Sequence, residues 1–91
     1  MYWDVVDVKP IGHLVLQVRF ADGLEGRVRI DASFLHGVFA PLKDPAFFNR
    51  VSCTDGFVTW PGELDLAPDA MHEGIKASGE LVISRGVDEA A

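Results

Sequence analysis

The dipeptide Asp55-Gly56 constrains the fold of this chain more than any other feature of its sequence. It lies between two runs of strand-forming residues, 51–54 and 57–60, and Asp-Gly in that setting is a strong signal for a two-residue hairpin. Both central residues of a type I′ turn have positive φ angles, which Gly adopts freely and Asp tolerates. The short loop predicts one register, which pairs Thr54 with Phe57, Cys53 with Val58, Ser52 with Thr59 and Val51 with Trp60.

The side chains of this hairpin divide into two faces, because successive residues of a strand point to opposite sides. One face is wholly apolar and consists of Val51, Cys53, Val58 and Trp60. The other is mostly polar, so turn chemistry and burial pattern favour the same register. Cys53 is therefore predicted to pack in the core as a small hydrophobic residue rather than to act as a nucleophile with a histidine. Pro61 ends the second strand because it has no N–H to donate to a sheet.

A second hairpin is predicted around Asp22-Gly23, between strands at residues 13–20 and 24–30. A two-residue loop would mix apolar and charged side chains on each face. A three-residue loop, 21–23, keeps the apolar side chains together and fits a type I turn closed by a glycine bulge. This register pairs Phe20 with Leu24, Arg19 with Glu25 and Gln17 with Arg27.

The remaining strand signals are weaker. An N-terminal strand is predicted over residues 2–10, with Val6 and Val8 on one face and a turn at Gly12. A brief extended segment follows at residues 64–66, where apolar and acidic side chains alternate. Residues 79–91 are interpreted as a peripheral strand or a frayed tail.

Helix signals occur at three places. Asp31 is predicted to cap a short helical turn that stops at Gly37. Asp44 followed by Pro45 predicts a cap and first residue of a second short helix. The last helix is predicted over residues 68–77. Together these elements predict an α+β fold: an antiparallel sheet of about five short strands, from two hairpins and an N-terminal strand, with two or three short helices. The whole chain, residues 1–91, is predicted to be one domain.

The distribution of charge limits the possible partners. The net charge is −6, and the excess of acids lies in the C-terminal part of the chain. Residues 53–91 contain two basic side chains (Lys76, Arg85) against eight acidic ones (Asp55, Glu63, Asp65, Asp69, Glu73, Glu80, Asp88, Glu89). Binding to nucleic acid depends on cations that neutralise phosphates, so direct nucleic-acid binding is not expected.

The sequence also predicts the compartment. No apolar run approaches the roughly 20 residues that span a membrane. The N-terminal segment is acidic and lacks the apolar core of a signal peptide. Because there is one cysteine, no internal disulfide can form, and a cytoplasmic protein without membrane contact is expected.

Three sequence runs resemble a known family of small bacterial proteins, the domain of unknown function 2442 (DUF2442). The runs are VRFADGLEGRVRID, FAPLKDPAFFNRV and VTWPGELDLAPDAMHE, and the resemblance covers about residues 3–73. The third run is the most specific, because family members have Trp-Pro-Asn-Gly, then Asp, then Pro-Asp or Pro-Glu there. The matching positions are Trp60, Pro61, Gly62, Asp65, Pro68 and Asp69, although Gly62 directly follows Pro61 where the family usually has Asn.

The resemblance implies a compact α+β domain with an antiparallel sheet and two or three short helices. It implies no established activity and no cofactor. Members resemble partners in toxin–antitoxin-like gene pairs or occur beside DNA-binding segments. A protein partner is therefore expected, such as the product of an adjacent gene.

The polar residues do not form a pattern typical of catalysis or metal binding. His13, His36 and His72 lie far apart in the sequence, whereas zinc ligands usually come in close pairs. The carboxylates at 63, 65, 69 and 73 have no partner pattern that would separate their pKa values for acid–base work. Asp69 and Glu73 are explained by the favourable interaction of acids with a helix N-terminus. We therefore expect no catalytic residue, no metal and no enzyme activity.

A candidate interaction surface is predicted around the turn that follows the central hairpin. An aromatic residue beside a rigid Pro and a permissive Gly can present a fixed apolar patch with an acidic rim. Trp60 is a member of this set, although strand alternation favours a core position for its side chain. The surface comprises Trp60, Pro61, Gly62, Glu63, Asp65 and Asp69, with Trp3 and Tyr2 as further aromatic anchors.

A second, charged surface is less favoured. Arg19, Arg27 and Arg29 share the outer face of the first hairpin and form a candidate anion contact, but Glu25 beside them favours a solvated face. The expected function is thus that of a non-catalytic protein-interaction module, the antitoxin-like or accessory member of a two-gene pair. The alternative is a small-molecule or divalent-metal-binding protein that uses residues 62–73. A homodimer is also considered, because the edge of a short strand at 81–84 can pair with another chain.

Overall fold

The computed structural model describes residues 1–62 and 64–84, which form two β-sheets, two α-helices and two 3₁₀ segments. In chain order the elements are β1 (Val5–Gly12), β2 (Val15–Phe20), β3 (Glu25–Ile30), 3₁₀ segments Ala32–Phe34 and Gly37–Lys43, α1 (Pro45–Phe48), β4 (Ser52–Thr54), β5 (Phe57–Trp60), β6 (Leu64–Leu66), α2 (Pro68–Ser78) and β7 (Glu80–Ile83). One sheet has the strand order β1-β2-β3-β7 and the other has the order β4-β5-β6. The α+β class is confirmed, whereas the prediction of one sheet of about five strands is wrong.

The hairpin of β2 and β3 has the predicted register. Arg19 lies opposite Glu25, and Gln17 lies opposite Arg27. The N–H of Phe20 donates to the carbonyl of Leu24 at 2.8 Å, which closes the three-residue loop. The requirement that the apolar side chains lie on one face therefore predicted the length of this loop correctly.

The central hairpin of β4 and β5 is also confirmed. Asp55 and Gly56 have φ angles of 52° and 85°, the pair of positive values that a type I′ turn requires. Ser52 pairs with Thr59, Cys53 with Val58 and Thr54 with Phe57.

The turn after this hairpin explains why the chain has two sheets rather than one. Gly62 has a φ of 89°, and the turn brings Leu64 opposite Trp60, so that β6 pairs with β5. A partner nearby in sequence costs less loop-closure entropy than a distant strand does. The two sheets meet where the N–H of Val5 donates to the carbonyl of Gly56 at 2.9 Å.

The N-terminal strand differs from its prediction at both ends. The register with β2 shifts between Val5 and Asp7, and this bulge buries Val5 and leaves Val6 48% exposed. Val6 and Val8 were predicted to share a face, but Val6 is exposed and Val8 packs against the core. Gly12 belongs to β1, and the turn consists of the next two residues, His13 and Leu14.

The last strand, β7, is parallel to β3, with Arg27 opposite Glu80 and Arg29 opposite Val82. Parallel neighbours require a long crossover, which α2 and the second sheet supply here. The expectation of an entirely antiparallel sheet is therefore wrong. A strand at this position was predicted, whereas the predicted frayed tail at residues 85–91 lies outside the described residues.

Both sheets contribute to the same core. Its buried side chains come from every layer: Leu16, Val18, Phe20, Val28 and Ile30 from the first sheet, Val58, Trp60, Leu64 and Leu66 from the second, and Leu42, Phe48, Met71 and Ile75 from the helical segments. Each fully buried side chain of this size contributes roughly 1.5–3 kcal/mol of transfer free energy.

Two glycines allow α2 to pack closely on the first sheet. A Cβ atom on Gly26 would lie 2.7 Å from the carbonyl oxygen of Gly79 and would also overlap Ile75. A Cβ atom on Gly74 would lie 2.7 Å from Cδ1 of Leu81. Gly74, which weakens the helix by propensity, is thus required by the contact with β7.

The helix boundaries agree with the capping signals. Asp31 and Asp44 each accept a hydrogen bond at 3.0 Å, from the backbone N–H of Ser33 and Ala46. Helix α2 continues one residue beyond its predicted end, and Gly79 terminates it with a left-handed φ of 82°. No helix within residues 1–62 and 64–84 has the length and apolar character needed to cross a membrane.

Candidate functional site

A cavity of about 200 Å³ lies between the N-terminal segment and α2. Tyr2 and Trp3 form one side of it, and the helix contributes four polar side chains: Asp69, His72, Glu73 and Lys76. Each of these four lies three residues from one of the others and four from another, so they cluster on one side of the helix. Met71 and Ile75 are buried, so the opposite face anchors the helix in the core.

Backbone hydrogen bonds hold the N-terminal segment in place beside the β2–β3 turn. The N–H of Asp22 donates to the carbonyl of Tyr2 at 3.3 Å, and the N–H of Ala21 donates to that of Asp4 at 2.8 Å. The N-terminal ammonium also forms an ion pair with Asp4 at 2.9 Å. Tyr2 and Trp3 are therefore fixed by a turn of the first sheet.

The best-defined polar contact at this site joins His72 to Asp22. Nε2 of His72 lies 2.8 Å from Oδ2 of Asp22. His72 is buried, with 5% of its surface exposed. Its ring packs edge-on against Phe20 and Tyr2, with centroid distances of 4.9 and 5.1 Å. The hydrogen bond with His72 lowers the pKa of Asp22, and the bond from the N–H of Leu24 lowers it further.

The contact with Asp22 determines how His72 faces the cavity. Because an ionised carboxylate can only accept, Nε2 of a neutral His72 carries the ring proton and Nδ1 is an acceptor. Nδ1 has no hydrogen-bond partner within the described chain. Every fully buried side-chain N or O atom of the described residues has a partner. His72 also lines the cavity.

The three histidines do not meet. Nε2 of His13 lies 3.2 Å from the carbonyl oxygen of Leu42, whereas His36 is exposed at the start of a 3₁₀ segment. Residues 1–62 and 64–84 contain no group of three His, Cys, Asp or Glu side chains that could hold a metal ion. Asp69 and Glu73 approach the same cavity as His72, but Asp65 is exposed on β6.

Cys53 is half-buried and packs against the core, opposite Val58. Within the described chain no histidine forms a hydrogen bond with its thiol. The side chain is thus where the hairpin register predicted it, on the apolar face.

The predicted interaction surface separates into three parts. Trp60 is 3% exposed and donates its indole N–H to the carbonyl of Phe48 at 2.9 Å, so its side chain belongs to the core and not to a surface. Pro61 and Gly62 are exposed, and Glu63 lies outside the described residues. Asp69 and Trp3 belong to the cavity instead, because the N-terminal segment folds across α2.

An apolar groove lies beside the Pro61-Gly62 turn and has a volume of about 320 Å³. It is lined by Val38 and Pro41 of the second 3₁₀ segment, Phe47 of α1, Pro61, Gly62 and Leu64. Val38 is 68% exposed. Residues 38–42 contain no sequence motif that predicts a role in this groove.

The outer face of the first sheet carries charges of both signs. Arg29 forms an ion pair with Glu80 at 3.2 Å, and both side chains are well exposed, so the pair contributes little stability. Arg19 lies opposite Glu25, and Arg27 lies opposite Glu80. This face is therefore not a concentrated cationic surface.

The contact between Asp22 and His72 could not be identified from local spacing, since 50 residues separate them. Lys76 was also missed. The signal available in the sequence was the helical spacing of residues 69, 72, 73 and 76, which places them on one face of α2.

These features define a class of protein: a small two-sheet α+β domain with a polar, aromatic-walled cavity on one helix face and a separate apolar groove. The chain belongs to the family described as protein of unknown function (DUF2442), whose model matches residues 5–77. The comparisons with curated proteins and with solved structures found no match. Tyr2 and Trp3 lie outside the matched residues, so one wall of the cavity is built from sequence beyond the family model.

Proposed function

We propose that this chain is a non-catalytic protein-interaction module, the antitoxin-like or accessory member of a two-gene pair, and that it binds the product of an adjacent gene. The observation that carries this proposal is the apolar groove beside the Pro61-Gly62 turn. Interfaces are centred on apolar pockets that an anchor side chain of the partner can fill.

The groove contains residues with restricted freedom. Pro41 and Pro61 each have a fixed φ angle, and Leu64 is buried and pairs with Trp60 of β5. A pre-formed site loses less conformational entropy on binding than a flexible one. The occupant that we propose is an apolar side chain of the partner.

Charge complementarity indicates that this partner is basic. Within residues 53–62 and 64–84 there are five carboxylates (Asp55, Asp65, Asp69, Glu73 and Glu80) and one cation, Lys76. An acidic surface accelerates association with a basic protein and disfavours acidic competitors.

The test is co-expression of the chain with the tagged product of the adjacent gene. We expect the two to co-purify, and we expect growth inhibition by the neighbour alone to be relieved when both are present. Val38→Arg places a long cation in the groove and should reduce co-purification about tenfold, as loss of an interface anchor does. Val82→Arg is the matched control, because Val82 is also an exposed valine but lies on β7, outside the groove.

Two results would contradict this function. One is the absence of co-purification and of any growth effect with the wild-type chain. The other is an equal loss of binding in the Val38 and Val82 variants, which would show that the groove is not the contact. Circular dichroism of both variants ensures that the comparison is made between folded proteins.

The alternative function, binding of a small molecule by the 62–73 region, is favoured by one observation. Asp69, His72 and Glu73 of this region approach a common cavity. Binding of a divalent cation by this region lacks such support, because the described residues contain no group of three side chains that could hold a metal ion.

A further inference from the structure

We propose that the cavity between Tyr2-Trp3 and α2 binds the guanidinium group of an arginine side chain. The arginine belongs to the protein partner, and in this respect the inference rests on the proposed function. Three properties of the cavity favour this ligand: its hydrogen-bond acceptors, its aromatic wall and its size.

The acceptors come from three side chains. His72 lies 2.8 Å from Asp22 through Nε2, and its Nδ1 is an acceptor when the ring is neutral and Nε2 donates to Asp22. Glu73 forms no hydrogen bond or ion pair with another described side chain, and Asp69 uses Oδ1 to accept the N–H of Ala70 at 2.9 Å and keeps Oδ2 free. A guanidinium has five N–H donors and no acceptor, so it matches a site whose fixed groups accept.

The aromatic wall favours a planar cation. Tyr2 and Trp3 pack edge to face, with ring centroids 4.8 Å apart, and both line the cavity. A guanidinium stacks on aromatic faces and is more weakly hydrated than an ammonium. A guanidinium in this cavity would lie near both the aromatic side chains and the carboxylates.

The size of the cavity favours one side chain over a larger ligand. Its volume of about 200 Å³ is below the roughly 300–1,000 Å³ of sites for drug-sized molecules. This volume suits the end of an arginine side chain better than a larger ligand.

Lys76 is the group on this helix face that opposes a cation. It forms no ion pair within the described chain and lies one turn beyond Glu73. The carboxylates of Asp69 and Glu73 outnumber it, so the cavity remains favourable for a single positive charge. Lys76 also distinguishes free arginine from an arginine within a protein. It would attract the α-carboxylate of the free amino acid, whereas a capped arginine offers only a repelled positive charge.

The test is an NMR titration of the ¹⁵N-labelled full chain, tagged at its C-terminus so that Tyr2 and Trp3 are unaltered. The probe is Nα-acetyl-L-arginine N-methylamide, and its matched control is the citrulline analogue, which has nearly the same shape and no charge. We expect the arginine probe to shift the resonances of residues 2, 3, 72 and 73, with a Kd on the order of a millimolar for so small a ligand. The citrulline probe should bind at least about tenfold more weakly.

Three variants define the site. Glu73→Gln should weaken binding of the arginine probe about tenfold, and Lys76→Gln should strengthen it severalfold because a like charge is removed. Asp65→Asn is the control, since Asp65 is an exposed carboxylate that does not line the cavity. Equal binding of the arginine and citrulline probes, or equal effects of the Glu73 and Asp65 variants, would overturn the proposal.

Free L-arginine distinguishes the two sources of the guanidinium. Binding no tighter than that of the capped probe supports an arginine within a protein. Binding more than about tenfold tighter, and lost in Lys76→Gln, would identify a free amino acid and overturn the protein source.

The outcome is separable from that of the proposed function. Probe binding without co-purification of the adjacent gene product would refute the interaction module and leave the cavity chemistry standing. Co-purification that is indifferent to Glu73→Gln, together with no probe binding, would refute the guanidinium site alone.

Discussion

The side chains of Asp22 and His72 are 50 residues apart in the sequence and 2.8 Å apart in the fold. Their contact joins the β2–β3 turn to the middle of α2, and it does so at the inner wall of the cavity. It therefore links the packing of the helix to the presentation of the acceptor Nδ1.

The contact predicts a dependence of stability on acid pH. The pKa of Asp22 is lower in the folded protein than the ordinary aspartate value of 3.8, chiefly because of the hydrogen bond with His72. A carboxyl whose folded pKa is depressed stabilises the native state fully above the unfolded pKa and loses that contribution as the pH falls through the folded pKa. We expect stability to decline below about pH 4, and Asp22→Asn to make this decline shallower.

Thermal unfolding from neutral pH to about pH 2 measures this effect. Asp65→Asn is the matched control, because Asp65 accepts no hydrogen bond from another described residue. An acid limb of the same steepness in the Asp22 variant and in the wild type would exclude the contact as its source.

Removal of His72 is expected to destabilise the protein. His72→Ala empties a buried volume beside Phe20 and leaves Asp22 without its partner, at a cost of about 2–4 kcal/mol. His36→Ala changes an exposed side chain and should alter the free energy of unfolding by less than about 0.5 kcal/mol. Urea denaturation of the two variants provides the comparison, and similar small effects would contradict the assigned burial of His72.

Gly26 should not tolerate a methyl group. A Cβ atom at this position would approach the carbonyl oxygen of Gly79 to 2.7 Å, and backbone atoms cannot move aside as a flexible side chain can. We expect Gly26→Ala to reduce the free energy of unfolding by about 1–3 kcal/mol. Gly12→Ala is the control, because the nearest atom to its Cβ would be Val15 Cβ at an ordinary 3.9 Å. Equal melting temperatures for the two variants would refute the close contact of β3 with α2.

The indole N–H of Trp60 is expected to contribute to the free energy of unfolding in addition to the packing of its ring. Trp60→Phe keeps an aromatic group in the core but removes the indole donor, so that the Phe48 carbonyl keeps the N–H of Val51 as its donor. We expect a loss of about 1–3 kcal/mol from the lost hydrogen bond and the smaller ring. Trp3→Phe retains an aromatic wall at the cavity and should cost less. Denaturant unfolding followed by the fluorescence of the remaining tryptophan distinguishes them, and the reverse order of stability would place Trp60 outside the core.

The registers of the two antiparallel hairpins were determined by the sequence itself. Their turn residues, Asp22-Gly23 and Asp55-Gly56, act through φ and ψ preferences that are local, and the alternation of apolar side chains excludes a slip by one residue. The caps at Asp31 and Asp44 are equally local, since each side chain bonds a backbone N–H two residues away.

The division into two sheets, the parallel strand β7 and the cavity were decided by tertiary structure. Each depends on which distant segments meet: β3 with β7, Tyr2-Trp3 with α2, and Asp22 with His72. Contacts of this kind arise when a core closes over all of its apolar faces at once, and local backbone preferences do not encode them. The sequence by itself therefore determined the registers of the β2–β3 and β4–β5 hairpins and the two aspartate caps, whereas the candidate binding site exists because the packing of α2 brings residues from three parts of the chain together.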